Sequence, residues 1–490
     1  MVNILISGYY GFDNIGDGSI LRTLVSSLRE HIPDCSLTVL SHNPASTREK
    51  YGVEAVDRMS PMAILRAVKK CDMLISGGGS LLQDVTSSKS LHYYLSIIRC
   101  AEFFHKKVFI YSQGIGPIDR PGNRRAAAAA LKRADGIVVR DERSAALLEE
   151  IGIARDKVVI TADPVIRMKK PDGDVGAEIL RKAGVSLDGR LTVGWAIRER
   201  DTDSRFVKEL LRSIQMMKDK YNAQSVLIPF HYEEDGEVCR HIAAQLPDDT
   251  AVCLNEKYLS EDMLSIIGNM DLLVGVRLHS LIYAAIMGVP LIGISYDPKC
   301  TAFLNSVGLD KLSTKENFTA ELFLPEAGRV LETGKEQVQC VEAHMAKLSR
   351  KLDTNEKMIC AIMEKSRKHT MQDPQNNTEK KDKSGVRTAG AISFVFLLTL
   401  FAKLLGVVRE MMQANIFGTG IDADLYTASY NSTLYLFTTM CYALCIAAVP
   451  ILTKEFAADR KRGEKAANNL LTITLLGSLA AVVLWQVFAS

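Results

Sequence analysis

The chain has 490 residues, 47% hydrophobic and 24% charged, a composition that excludes intrinsic disorder for most of its length. Its formal net charge is +3, from 60 basic and 57 acidic residues, so charge gives no argument for a nucleic-acid partner. The ten cysteines form no CxxC pair and show no metal-ligand spacing, which favours reduced thiols in the cytosol and predicts no metal site.

Residues 1–170 are predicted to form an N-terminal α/β lobe, because short apolar runs alternate with longer segments of helical periodicity. The predicted strands of this lobe are residues 2–7, 37–41, 73–76, 108–112, 136–140 and 157–161. A stripe of apolar residues predicts a helix over residues 19–32. Asp141 is expected to cap a helix that stops at Gly152.

Residues 176–368 are predicted to form a second α/β lobe with terminal helices, after a linker near residues 169–176. The predicted strands of the second lobe are residues 191–196, 225–229, 250–254, 271–275 and 291–295. Residues 316–368 are predicted to be helical throughout and to pack back on both lobes. The fold class is therefore α/β, with two Rossmann-like lobes that resemble the GT-B architecture of sugar-nucleotide transferases, an analogy that assigns no function by itself.

The last quarter of the chain differs in composition. Residues 369–385 are polar and without periodicity, so they are predicted to be a disordered linker. Residues 386–490 are predicted to be a partial membrane domain with three apolar spans, each as long as a hydrocarbon core of ~30 Å requires: residues 388–408, 431–452 and 469–489. Because basic residues concentrate in the linker and in residues 454–465, both are expected on the cytosolic side, together with the α/β lobes.

Polar and glycine-rich residues that directly follow predicted strands are candidates for binding, because ligands of open parallel sheets lie at the carboxyl edge. In the first lobe these candidates are Asn14, Asp17, Gly77, Gly78, Gly79, Gln83 and Gln113. The three glycines indicate a backbone nest for an anion or a sugar, although an ordinary flexible turn also explains them. Asp17 is either a functional carboxylate or a simple helix N-cap.

Four further candidates carry charge or titrate near neutral pH. Arg140 ends an apolar strand, where it either reaches a ligand or pairs with the acidic residues that follow it. Arg277 and His279 stand between a strand and a helix N-terminus, and Lys299 follows the next strand. Two cations, an imidazole and a helix N-terminus at one sheet edge predict an anion site, although a lone histidine is more often structural.

Five motifs in order along residues 2–368 resemble those of the polysaccharide pyruvyl transferase family, and of its CsaB-type branch in particular. They are SGYYGFDNIGD, SGGGSLLQD, QGIGP, VVRD and GVRLHS. The resemblance implies transfer of pyruvate from phosphoenolpyruvate onto two hydroxyls of a hexose, which leaves a cyclic ketal. In the CsaB-type branch the acceptor is typically an N-acetylmannosamine-containing, lipid-linked precursor of a secondary cell-wall polymer, and surface-layer-homology domains then recognise the ketal carboxylate.

The C-terminal part resembles the beginning of the MviN-type lipid II flippases, in the segments FAKLLGVVRE, IFGTG and VPIL. Only three of that family's spans are present, so a complete translocation path is not encoded and a truncated fusion is expected. The two resemblances together place the enzyme at the inner face of the bacterial cytoplasmic membrane, with the lobes in the cytosol.

The implied chemistry assigns roles to the candidates. Arg277 and Lys299 would bind the phosphate and carboxylate of phosphoenolpyruvate, and Arg140 the remaining anionic oxygen. His279 would be the general acid and Asp17 the base, with no cofactor beyond phosphoenolpyruvate as co-substrate. Two alternatives remain: a nucleotide-sugar glycosyltransferase or epimerase of the same architecture, and a transporter with a regulatory soluble part.

Overall fold

The protein is described from a computed structural model, which covers residues 2–85 and 87–372 together with residues 467–469 and 472. The chain divides into two compact units, Met1–Pro374 and Gln375–Ser490. Apart from Asn469 and Thr472, the three predicted membrane spans lie outside the described residues, as does the predicted linker beyond residue 372. Within the described ranges, no helix is both long enough and apolar enough to cross a bilayer, and all eight cysteines are free thiols.

Seven strands form the sheet of the N-terminal lobe. They are β1 (Val2–Ser7), β2 (Cys35–Ser41), β3 (Glu54–Asp57), β4 (Met73–Ser76), β5 (Lys107–Gln113), β6 (Gly136–Val139) and β7 (Val158–Ile160). The helices of this lobe are α1 (Ile15–His31), α2 (Pro44–Tyr51), α3 (Pro61–Lys70), α4 (Ser88–Phe103), α5 (Pro121–Leu131) and α6 (Glu142–Glu150). All strand pairs are parallel, in the order β3-β2-β1-β4-β5-β6-β7. The six strands predicted from the sequence are present, and β3 is additional because its short, half-polar edge sequence carries little strand signal.

The C-terminal lobe repeats this arrangement with six strands. They are β8 (Thr192–Ala196), β9 (Gln224–Leu227), β10 (Ala251–Cys253), β11 (Leu272–Gly275), β12 (Leu291–Ser295) and β13 (Ser313–Thr314). Its helices are α7 (Val175–Lys182), α8 (Arg205–Tyr221), α9 (Tyr232–Ala244), α10 (Ser260–Gly268), α11 (Leu278–Met287), α12 (Pro298–Ser306) and α13 (Ala320–Gln372). The order is β10-β9-β8-β11-β12-β13, again parallel.

The direction of winding reverses at one point in each sheet, between β1 and β4 in the first and between β8 and β11 in the second. At the carboxyl edge of such a switch point, the two loops run in opposite directions and a crevice forms between them. Ligands of doubly wound sheets bind in this crevice. The loops after β1, β4 and β11 contain most of the residues selected from the sequence. The topology therefore places these residues at the two crevices.

Helix α1 begins four residues earlier than the periodicity predicts. Asn14 is its N-cap, and the Asn14 side chain accepts hydrogen bonds from the backbone N–H groups of Gly16 and Asp17 at 3.0 and 3.4 Å. Two glycines in this first turn weaken the helical signal in the sequence. Asp17 therefore lies inside the first turn, and the interpretation of Asp17 as a simple N-cap is wrong.

Helix α13 packs on both lobes, as predicted, although it starts at Ala320 after a short 3₁₀ turn. Its Val341, Met345 and Leu352 belong to the apolar core of the C-terminal lobe. On the other lobe, the carboxylate of Glu356 accepts hydrogen bonds from Ser27 and Tyr111 at 2.6 and 3.1 Å. This carboxylate is 3% exposed and also lies 3.4 Å from the guanidinium of Arg167.

We expect Glu356→Ala to lower the free energy of unfolding by about 3 kcal/mol, because it removes one partner from a buried, hydrogen-bonded ion pair. Urea unfolding of the full chain measures this change. Glu364→Ala, at an exposed position of the same helix, is the matched control and should unfold like the wild type. Equal midpoints for the two variants would show that Glu356 does not anchor the helix to the first lobe.

Candidate active site

A cleft of about 760 Å³ lies between the lobes, at the carboxyl edges of both sheets. Eight of the residues selected from the sequence line it, namely Asn14, Asp17, Gly79, Gln83, Arg140, Arg277, His279 and Lys299. They come from five different loops of both lobes. The structure thus brings together the predicted acid His279, the predicted base Asp17 and all three cations that were predicted to bind the donor.

Gly77, Gly78 and Gln113 lie behind the wall of this cleft. Gln113 is 0% exposed, and its side-chain nitrogen donates to the hydroxyl of Ser76 and to the carbonyl of Gly77, both at 2.7 Å. A Cβ at Gly77 would overlap the Tyr10 hydroxyl, and one at Gly78 would come within 2.8 Å of an Ile20 methyl group. The sequence predicted that these three residues contact the substrate. In the structure they instead support the wall of the cleft from behind.

Gly79 differs from its two neighbours because it faces the cleft. Its φ is +92°, a left-handed conformation that favours glycine, and a Cβ there would lie 3.0 Å from the carboxylate of Asp17. The third glycine therefore allows the β4 loop to approach Asp17 closely.

Arg140 is a buried, fixed cation. Its side chain is 6% exposed, and its guanidinium lies 3.0 Å from the carboxylate of Asp163 and 3.5 Å from that of Asp141. It also donates a 2.9 Å hydrogen bond to the hydroxyl of Ser80. Burial lowers the pKa of Arg140, but the two carboxylates more than offset this and the pKa is raised. The sequence left two alternatives for Arg140, a position at a ligand site and an ion pair with the acidic residues that follow it. The structure shows both, because Arg140 lines the cleft and pairs with Asp141.

His279 lies between two helix N-termini. It is the second residue of α11, and its ring lies so close to the first turn of α1 that a Cβ at Gly16 would overlap it. Its Nε2 atom is buried without a hydrogen-bond partner, 3.8 Å from the carboxylate of Asp163. Burial lowers the pKa of His279 to about 4; Asp163 opposes this shift, and the cations of the cleft add to it. The imidazole is therefore neutral at pH 7, mainly because it is buried, and the neighbouring cations contribute less.

Asp17 titrates close to neutral pH. Burial raises the pKa of its carboxyl group to about 7, and the negative charge of Asp163 adds to this shift. The charges of Lys299, Arg140 and Arg277 act in the opposite direction. Burial thus raises the pKa of Asp17 above that of His279, which reverses their ordinary order. In both cases burial favours the neutral form of the group.

Arg277 is partly committed to a protein partner. Its Nε donates to the carboxylate of Asp235 at 3.1 Å, and its Nη2 donates to the other oxygen of the same group. Asp235 is 1% exposed and also accepts from the backbone N–H of His231 at 2.9 Å. The Nη2 of Arg277 also lies 3.8 Å from the carboxylate of Glu234. Arg277 can therefore bind a ligand only through the remaining edge of its guanidinium group.

Lys299 is a second cation of the C-terminal lobe and lies in the first turn of α12, where Asp297 is the N-cap. Its ammonium lies 3.4 Å from the carboxylate of Asp297 and 5.7 Å from the centre of the Tyr296 ring. Burial raises the pKa of Asp297, but Lys299 more than offsets this and the pKa is lowered. The pair keeps the ammonium at the edge of the cleft, beside a helix N-terminus.

Several charged residues in or behind the cleft were missed in the sequence, among them Asp163, Arg198 and Asp235. Asp163 and Arg198 follow β7 and β8 by two or three residues, so the rule applied to the other strands would have found them. Arg198 donates a hydrogen bond to the hydroxyl of Tyr296 and lies 4.5 Å from the centre of that ring. Asp235 lies four residues inside α9, and no sequence signal distinguishes it from a surface carboxylate. No group of three or more potential metal ligands occurs among the residues that the structure describes.

The profile of the family described as Polysaccharide pyruvyl transferase matches residues 14–298. This range contains the loops that line the cleft, except for the first residues of the β1 loop and for Lys299. The chain belongs to this family. Among its relatives is the amylovoran biosynthesis protein AmsJ of Erwinia amylovora, which is 21% identical over 370 residues, or 64% of this chain and 88% of AmsJ. Membership of the family makes the protein a transferase of polysaccharide biosynthesis.

Solved structures share the architecture of this pyruvyl transferase at low identity. HepE of Anabaena, in complex with UDP-glucose, gives a TM-score of 0.53 at 10% identity and covers 74% of this chain and 100% of its own. A glycosyltransferase of Rickettsia africae gives 0.51 at 12% identity, with coverage of 73% and 98%. S. aureus MnaA, in a co-structure with UDP, gives 0.50 at 14% identity, with coverage of 70% and 91%. These likenesses confirm the predicted two-lobed, GT-B-like α/β fold and carry no argument about function.

The raised pKa of Asp17 has a consequence for stability. The folded protein holds this proton more tightly than the unfolded chain, so the stabilisation is present at low pH and is lost as pH rises towards 7. The lowered pKa of His279 acts in a lower window, where stability is lost as pH falls below the ordinary histidine value towards 4. We therefore expect the thermal midpoint of the Asp17→Asn variant to rise relative to wild type between about pH 5 and pH 7.

Differential scanning calorimetry over that pH range measures the effect. Asp172→Asn, which changes an exposed aspartate, is the control and should follow the wild-type curve. A wild-type midpoint that runs parallel to that of Asp17→Asn across this range would show that Asp17 is ionised throughout.

Proposed function

We propose that this pyruvyl transferase moves the pyruvyl group of phosphoenolpyruvate onto two hydroxyls of a hexose and forms a cyclic ketal. The observation that carries the proposal is the convergence of three cations, Arg140, Arg277 and Lys299, around the neutral His279 and the titrating Asp17. Phosphoenolpyruvate has a phosphate and a carboxylate on a small carbon frame, so it needs several cations at close range. A proton donor and a proton acceptor must lie beside them.

The anionic groups of the donor find two kinds of partner in the C-terminal lobe. Lys299 and the free edge of Arg277 supply positive charge. The first turns of α11 and α12 supply backbone N–H groups and the positive ends of the helix dipoles. Arg140, on the opposite lobe, completes the set and faces the remaining anionic oxygen.

The reaction needs one proton to move onto the methylene carbon of phosphoenolpyruvate while C2 accepts a sugar hydroxyl. Phosphate then leaves with the electrons of its C–O bond. A second hydroxyl attacks C2, gives its proton to the imidazole of His279, which has lost its own to the methylene carbon, and so closes the ketal. His279 donates the first proton, because a bound phosphate dianion raises its pKa from the value of about 4 in the free protein. Asp17 accepts the proton of the attacking hydroxyl, a role that suits a carboxylate with a pKa of about 7.

The sequence motifs support a more specific proposal for the acceptor and the location. We propose the CsaB-type reaction, with N-acetylmannosamine of a lipid-linked cell-wall polymer precursor as acceptor and no cofactor beyond phosphoenolpyruvate. The apolar character of residues 386–490 supports a partial, MviN-like membrane domain and a position at the inner face of the cytoplasmic membrane. A polysaccharide acceptor also agrees with the relative named for amylovoran biosynthesis.

Incubation with phosphoenolpyruvate and a lipid-linked ManNAc-GlcNAc acceptor tests the activity. We expect mass spectrometry to show a gain of one pyruvate less one water, and release of one phosphate per ketal. UDP-sugars in place of phosphoenolpyruvate form the control and should give no product. Glycosyl transfer from a UDP-sugar, with no reaction of phosphoenolpyruvate, would instead support the glycosyltransferase alternative.

Two variants separate binding from proton transfer. His279→Gln should lose turnover by roughly 100-fold, the scale of general acid catalysis, and keep the KM for phosphoenolpyruvate close to wild type. Lys299→Met should mainly raise that KM, because a charge-assisted contact with the donor is removed. Lys299 is preferred to Arg277 for this test, since loss of Arg277 leaves the buried Asp235 unpaired. Near wild-type turnover of His279→Gln would show that the histidine is structural.

A further inference from the structure

A second, smaller pocket of about 150 Å³ adjoins the active-site cleft, and Tyr9 and Asn14 line both. The N-terminal lobe contributes the loop after β1 and one face of α2. The C-terminal lobe contributes Tyr232 and the segment that leads into α10. Nothing in the proposed reaction with phosphoenolpyruvate uses this pocket. Because it shares two wall residues with the cleft, a ligand that extends beyond Asp17 can reach it.

The lining of this pocket is strongly aromatic. Six of its twenty lining residues are Tyr or Phe, whereas aromatic residues make up 7% of the chain. Tyr9, at the junction with the cleft, stacks on Phe12 with a centroid distance of 4.2 Å and an interplanar angle of 8°. Phe12 stacks in turn on His42 at 4.5 Å. Rings that are fixed in this way offer flat apolar faces at little entropic cost, while tyrosine hydroxyls offer hydrogen bonds.

The charges of the pocket cancel. Asp13 lies 3.3 Å from Lys50 of its own lobe and 3.1 Å from Lys257 of the other lobe. The other charged lining residue is Glu256, so two lysines face two carboxylates. In contrast to the cleft, no excess of positive charge is available for a phosphate or a nucleotide. The pocket therefore suits a neutral ligand.

The backbone conformation of Asp13 holds its carboxylate between the two lysines. Its φ is +52°, a left-handed conformation that residues other than glycine adopt at a cost. In that conformation the carboxylate bridges lysines of both lobes, beside the backbone pairing of Asn14 with His231 across the lobes. The pocket thus has its full lining only when the two lobes are held together as they are here.

We propose that this pocket binds a neutral pyranose ring of the acceptor glycan, next to the ring that receives the pyruvyl group. The proposal rests on the proposed function and names how its acceptor is recognised. Apolar sugar faces stack on aromatic rings, and sugar hydroxyls pair with the polar groups between them. The volume is below the ~300–1,000 Å³ of pockets that enclose drug-sized ligands, so it corresponds to a single ring. The enzyme then selects an acceptor with at least two sugars.

The test compares lipid-linked acceptors with one and two sugars, ManNAc and ManNAc-GlcNAc, as the ratio of their kcat/KM values. We expect the wild type to prefer the disaccharide. Ser46→Phe, which places a ring in the pocket from α2, should lower this ratio by about tenfold, which corresponds to about 1.4 kcal/mol. Ala45→Phe, at the exposed neighbouring position of the same helix, is the matched control and should keep the wild-type ratio. Tyr258→Ala, which removes an aromatic wall, should lower the ratio as well.

A binding measurement separates this proposal from the reaction itself. Saturation-transfer NMR with the free ManNAc-GlcNAc disaccharide should show contact with the wild type and with Ala45→Phe, and a loss of signal with Ser46→Phe. Pyruvylation of both acceptors with equal kcat/KM, unchanged by Ser46→Phe and Tyr258→Ala, would overturn the sugar subsite and leave the proposed function intact. Absence of pyruvylation together with disaccharide binding that Ser46→Phe abolishes would contradict the proposed function and retain the subsite. Disaccharide binding to a folded Ser46→Phe at wild-type strength would overturn the subsite in either case.

Discussion

The close approach of Gly16 to the ring of His279 is the contact on which the site depends. It joins the first turn of α1, from one lobe, to the first turn of α11, from the other, and only a residue without a Cβ leaves room for the imidazole. Ile20, one turn further along α1, is buried in the core of the C-terminal lobe, and Ser19 hydrogen-bonds Tyr283 there. The lobes are thus held together at the place where their switch points meet.

The burial that results from this contact explains the electrostatics of the cleft. A group taken out of water loses stabilisation of its charged form, so an acid and a base shift in opposite directions. Near pH 7 the imidazole of His279 is neutral and the carboxyl group of Asp17 titrates, although cations and carboxylates surround both. The free protein therefore combines fixed cations with a neutral His279 and an Asp17 that is only partly ionised at pH 7. In the proposed reaction, a trianionic donor would favour the protonated form of His279 when it binds, which would couple binding to proton transfer.

Much of the site could be predicted from one rule, that ligands meet the carboxyl ends of parallel strands. That rule selected Asp17, Arg140, Arg277, His279 and Lys299, and the structure brings them into one cleft. The rule failed for Gln113, whose side chain points away from the cleft. There it donates hydrogen bonds to Ser76 and Gly77 in the wall of the cleft. The rule also could not show that Arg277 is held by the carboxylate of Asp235 in α9, since that pairing depends on how β9 and β11 flank β8.

The amino-acid sequence by itself determined the alternation of strands and helices, the division into two α/β lobes and the family, because apolar periodicity and short motifs are local properties of the chain. Only the tertiary structure decided which loops share a crevice, how far burial moves the pKa values of Asp17 and His279, and that Asp163 lies between Arg140 and His279. It also decided that a neutral aromatic pocket adjoins the cleft. Distance, burial and charge balance depend on residues that are far apart in the sequence, and their values exist only once the two lobes have closed on each other.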